Sequence, residues 1–212
     1  MSGWNPQLTE DQIDSLKEVG NIGAGHAASE LARLVGRKCV VSVPELIFAD
    51  LLGIRKACQI PDAITVALRM RILGDIPASM LVITGRKHAE RILGAMQAVD
   101  GLPPSPATAG EPDELAFQLA LKQLGEALTH SFSNAISDFL GAKTHASVPE
   151  VVVENWSTSG DIAEQPGDDR NTQMAIHADF FDCAKSFQGK FVYVLGSDAQ
   201  ARILERLESL LG

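Results

Sequence analysis

Apolar and small residues recur at Ile13, Leu16, Gly20, Gly23, Ala27 and Leu31, at intervals of 3, 4, 3, 4 and 4. That spacing keeps one face of a 3.6-residue helix apolar and predicts a long amphipathic helix. Adding 108 to each position gives Leu121, Leu124, Leu128, Ser131, Ala135 and Phe139, the same rhythm with mostly apolar occupants. The ends agree as well: one half closes on Arg91, Ile92, Leu93 and the other on Arg202, Ile203, Leu204. Each half therefore reads as a long helix, an extended segment holding a proline (Pro44, Pro149), a strand hairpin and a closing helix. Strands are predicted at 38–43, 64–72, 78–84, 147–154, 172–178 and 190–195.

Three strands per half, bracketed by helices, give an α+β class. The expected architecture is an internally duplicated, pseudo-two-fold set of helix plus three-strand units. Its long helices pack on a mostly antiparallel six-stranded sheet. One domain, 1–212, is expected, made of two repeats at about 8–101 and 113–212, neither stable alone. A Pro/Gly/Ala stretch near 102–112 is the expected connector. The polar, Gly/Pro-punctuated segment 155–171 reads as a mobile loop.

Charge narrows the partners. Eighteen basic and twenty-seven acidic side chains leave a formal net charge of −9, which repels nucleic acid and anionic membrane. Apolar stretches such as Ala78–Thr84 fall far short of the roughly 18 to 20 residues that a membrane span needs, and the start MSGWNPQLTEDQ lacks a signal peptide's regions. Cys39, Cys58 and Cys183 are odd in number and widely spaced, so reduced thiols and a cytoplasmic location are expected.

The candidate chemistry lies on the first helix. At about 100° per residue, Asp14, Glu18 and Asn21 fall at about 0°, 40° and 340°, one narrow stripe facing away from the apolar side. The next positions near that stripe, Gly25, Ala28 and Ser29, are small and would let another protein's backbone approach. Two readings of GNIGAG stay open. Asn21 and the glycines could end the helix in a left-handed cap. Alternatively one continuous helix runs on into AASELARL, with Gly20 and Gly23 serving helix packing and Gly25 the exposed face. GNIGAG has neither the Walker spacing nor its Lys-Ser/Thr ending, and the five histidines form no metal-ligand pair. Ser131 and Ser133 lack the context of a serine nucleophile.

The pattern Asp14-x3-Glu18-x2-Asn21-x22-Pro44, with NIGAGHAA following and SVPEL around the proline, resembles the signature of the CheC, CheX and FliY chemotaxis phosphatases. The duplicated layout resembles CheC itself. The resemblance implies hydrolysis of the aspartyl phosphate of a CheY-like response regulator, whose own bound Mg²⁺ is the only metal expected. An acyl phosphate is already activated, so the catalyst mainly has to hold water in line. The Asn21 amide can accept a hydrogen bond from that water and donate one to a phosphoryl oxygen. Glu18, with a reference pKa of about 4.3, is too acidic for a general base. The resemblance instead pairs it with a lysine of the regulator, with Asp14, Gly25 and Pro44 among the binding residues.

In the second half, adding 108 gives Lys122, Glu126 and Thr129, so a degenerate second site is expected there. The alternative function is a catalytically weak adaptor for phosphorylated CheY or a CheD-type receptor deamidase. A FliY-like switch component would need a further C-terminal domain.

Overall fold

The computed structural model describes residues 8–62, 64–99, 114–154 and 173–211. The expected connector and the whole of the expected 155–171 loop lie outside them. The described elements, in order, are α1 (Glu10–Val35), β1 (Cys39–Val41), β2 (Glu45–Ala49), α2 (Leu51–Ala57), β3 (Thr65–Gly74), β4 (Ala78–Gly85) and α3 (Arg86–Val99). They continue with α4 (Glu114–Leu140), β5 (Thr144–Ala146), β6 (Glu150–Glu154), β7 (Gln173–Asp182), β8 (Gln188–Leu195) and α5 (Ser197–Leu211).

α1 starts on a capping box, in which Thr9 Oγ1 accepts from the Gln12 amide at 3.2 Å and Gln12 Oε1 accepts from the Thr9 amide at 3.0 Å. Glu10 and Asp11 then complement the helix dipole, and the helix ends at Gly36, whose φ of 65° suits a residue without Cβ. Between these signals it is unbroken, so GNIGAG lies within the helix and not at its end. α2 was not anticipated. Asp50 caps it by accepting from the Gly53 amide at 2.7 Å, and Ile54 is its buried residue.

All eight described strands join one sheet, every pairing in it antiparallel. β4 and β8 pair at its centre, β3 lies outside β4, and β7 lies outside β8. Eight strands stand where six were expected: 38–43 appears as β1 and 147–154 as β6, while β2 beyond Pro44 and β5 before Pro149 were not anticipated, each set off from its neighbour by a proline that lacks the amide proton a continuous ladder needs. The pairing partners are exchanged between the halves. β1 and β2 pair with β7, while β5 and β6 pair with β3. Each half's proline-bearing segment thus completes the other half's hairpin.

One face of the sheet carries the main core. Val66, Leu68, Met70 and Ile72 from β3 and Ile176, Ala178 and Phe180 from β7 meet the buried sides of α1 and α4 there. The period-2 alternation sends Ala67, Leu81, Ile83, Ala175, Val192 and Val194 to the opposite face, where Ile54 of α2 covers them with Cys58 and Ile60. Burial holds the Cys58 thiol protonated by pushing its pKa up to about 12.

α1 reaches its place through two glycines. A Cβ at Gly20 would lie 2.5 Å from Ile176 Cγ2 and 3.1 Å from Pro44 Cβ, and one at Gly23 would lie 2.7 Å from the Phe132 ring. At Gly25 a Cβ would meet nothing within 4 Å. Opposite signs follow for one chemical change. Gly20→Ala should lose about 1–3 kcal/mol by overpacking, whereas Gly25→Ala should gain about 0.5–1 kcal/mol from helix propensity. Urea unfolding monitored by circular dichroism measures both.

Candidate active site

The helical period turns Leu16, Val19, Gly20 and Gly23 inward, which leaves Asp14, Glu18 and Asn21 exposed on the outer face of α1. Asn21 Nδ2 donates to Glu18 Oε2 at 3.3 Å, one turn back along the helix. Asp14 lies one turn further out, 3.6 Å from the Lys17 ammonium. The Glu18 bond occupies one amide proton of Asn21. Its second N–H and its carbonyl oxygen remain to bind an incoming group, the donor and acceptor pair that positioning water against an anion requires.

The neighbours of this face divide by burial. Gly25 is open above its Cα, and Ser29 is exposed with its hydroxyl donating to the Gly25 carbonyl at 2.8 Å. Ala28 does not share the face, being 5% exposed within the core. Pro44, expected among the binding residues, is buried. It packs under Gly20 and sets the height of α1 on the sheet instead of offering its ring to a partner. Among the described residues no three His, Cys, Asp or Glu side chains gather as metal ligands.

The second-half expectation needs correction. Lys122 and Glu126 are exposed, but Thr129 is fully buried and its hydroxyl has no hydrogen-bond partner in the protein. It cannot belong to an outer face. The offset of 108 also sends buried Leu31 to Phe139, which is 37% exposed. Adding 105 instead carries Leu16 to Leu121, Val19 to Leu124, Gly20 to Gly125, Ala27 to Phe132 and Leu31 to Ile136. All nine buried positions of α1 land on buried positions of α4 in this register. A Cβ at Gly125 would then lie 3.3 Å from Pro149 and from Leu68, as one at Gly20 would crowd Pro44 and Ile176. The outward positions matching Asp14, Glu18 and Asn21 are Leu119, Gln123 and Glu126, all exposed. Glu126 therefore stands at the position of the amide and not at that of Glu18.

The sequence model of the CheC-like family matches residues 12–47, the stretch that holds Asp14, Glu18, Asn21 and Pro44. The CheY-P phosphatase CheC of Bacillus subtilis is 33% identical over 150 residues, 69% of this chain and 68% of that relative. The chain belongs to the CheC-like family. Its fold is shared by FliY of Thermotoga maritima, with a TM-score of 0.74 at 19% identity, covering 96% of this chain and 98% of that one. CheX of Borrelia burgdorferi, solved with CheY, BeF3 and Mg²⁺, gives 0.53 at 11% identity, covering 87% of this chain and 99% of that one. Within this CheC-like fold the exposed Glu18/Asn21 pair lies inside the segment that the family model matches.

Thr129 tests the corrected register. Thr129→Val removes a buried unpaired hydroxyl at nearly constant volume and should stabilise the protein by about 1 kcal/mol. Thr129→Asn places a larger amide in the same closed space and should cost about 1–3 kcal/mol. Thermal melts of the two variants should shift in opposite directions.

Proposed function

We propose that this protein hydrolyses the aspartyl phosphate of a CheY-like response regulator in chemotaxis, in the cytoplasm, at one centre on α1. The observation that carries this reading is the contact of exposed Asn21 with exposed Glu18, inside the segment that matches the CheC-like family. The similarity to a CheY-P phosphatase over two thirds of both chains supports the substrate class.

Glu18 docks by pairing with a lysine of the regulator, and Asp14 adds negative charge beside it. Asn21 then accepts a hydrogen bond from the attacking water and donates one to a phosphoryl oxygen, which holds the water in line. Water attacks phosphorus, the bond from phosphorus to the aspartyl oxygen breaks, and inorganic phosphate leaves with the aspartate restored as carboxylate. Mg²⁺ enters with the regulator, where it neutralises charge on the phosphoryl oxygens. Two repeats in one domain are part of the same reading, with the α4 counterpart chemically altered. At the position of Asn21, an ionised Glu126 can accept hydrogen bonds but donate none, and it brings negative charge toward a phosphoryl group.

The regulator should be phosphorylated with a small phosphodonor and its decay followed with and without this protein. Wild type should accelerate the decay, and Asn21→Ala should lower the rate by about 100-fold, the usual loss for one positioning donor. Equal, unaccelerated decay with wild type and Asn21→Ala would leave the adaptor for phosphorylated CheY or a CheD-type deamidase as the function.

A further inference from the structure

Val43 and Val148 are the most exposed large hydrophobic side chains among the described residues, at 74% and 80%. Neither sits on a loose loop. The Ser42 amide donates to the Asp179 carbonyl at 2.8 Å, the Asp179 amide donates to Ser42 Oγ at 2.9 Å, and that hydroxyl donates to the Val43 carbonyl at 3.4 Å. Pro44 follows at once and is locked beneath Gly20. Ser147, Val148 and Pro149 repeat the corner against Arg71, with bonds of 2.8, 3.0 and 3.2 Å. Two prolines and two bonded serines thus hold a stiff, β-branched apolar side chain out in water at each corner.

We propose that Val43 is a docking residue of the phosphatase reaction, an apolar contact that seats the phosphorylated receiver domain against the Glu18/Asn21 face. The inference rests on the function proposed above. Pro44 packs against the helix at Gly20, the residue before Asn21, which sets the Val43 corner beside α1 at the turn that carries the catalytic amide. A receiver domain seated on Asn21 meets Val43 if its footprint extends to the neighbouring β1–β2 corner. The corner is ordered before the partner arrives, so contact with it costs little further conformational entropy. Val148 occupies the same kind of corner by the α4 face, where Glu126 and not an amide stands at the position of Asn21, and serves as an internal control.

The test compares Val43→Asp, Val43→Thr and Val148→Asp with wild type in the phosphorylated-regulator assay. Val43→Asp should raise KM at least about tenfold with kcat unchanged, as expected for lost apolar burial. Val43→Thr, which keeps the branched shape, should raise it less. Val148→Asp should change neither constant, and melting temperatures should match wild type because both valines face water. Binding is measured separately as Kd for the regulator loaded with beryllofluoride and Mg²⁺, using Asn21→Ala protein with and without Val43→Asp. Kd should rise by the same factor as KM. An unchanged KM and Kd for Val43→Asp, a fall in kcat alone, or an equal loss with Val148→Asp would overturn the assignment. If wild type fails to hydrolyse, the proposed function falls, while Kd still decides whether Val43 docks the regulator.

Discussion

The close approach of α1 to the sheet at Gly20 sets the rest of the molecule. With no Cβ there, the helix backbone settles against Ile176 of β7 and against Pro44, whose ring separates β1 from β2. Two consequences follow from that contact. The helix cannot rotate about its axis without driving a side chain into Ile176, so its outer face is fixed as the one bearing Glu18 and Asn21. The proline-bearing segment is held at the foot of the same helix. The proposed catalytic pair and the proposed docking corner are thereby tied to one rigid joint.

The exchanged strands extend that rigidity. Pro44 follows α1 in the chain, yet β1 and β2 on either side of it pair with β7 from the other half. Phe132 of α4 fills the space above Gly23, and its ring packs tilted against that of Tyr193 of β8, with centroids 5.1 Å apart. Each half's helix thus rests on strands and rings supplied by the other, and separating the halves would expose both long helices at once. The site inherits its order from long-range contacts and not from α1 alone, which carries three glycines within six residues and would be a weak helix in isolation.

Much of this was legible in the chain. The 3–4 spacing gave α1 and its outer stripe, and the glycine assignments followed from asking what could offset their helix penalty: Gly20 and Gly23 pack, and Gly25 is open. The exchange of strands was not legible, because periodicity says which face of a strand is buried but not which strand lies beside it. α2 was missed for a related reason. Seven residues with one buried side chain leave almost no periodic signal.

The misplaced register of α4 has a more instructive cause. A stripe built on steps of three and four overlays itself when slid by three, so Leu121, Leu124 and Leu128 match α1 almost as well at 108 as at 105. Apolar rhythm fixes that a helix is amphipathic and leaves its alignment open. Contacts that cannot be slid settle it. Gly20 precedes Pro44 by the same interval that separates Gly125 from Pro149, and Ser42-Val43-Pro44 recurs as Ser147-Val148-Pro149. Those positions carry steric demands that only one register meets, because a side chain in place of either glycine would strike or crowd a proline ring and a strand residue. Alignment by tolerance for bulk, not by hydrophobicity, is what brings Glu126 opposite Asn21. The two outer faces differ at all three positions, and at that of Asn21 the amide that can both donate and accept is exchanged for a carboxylate, while the amide of the α4 face, Gln123, stands one turn earlier at the position of Glu18.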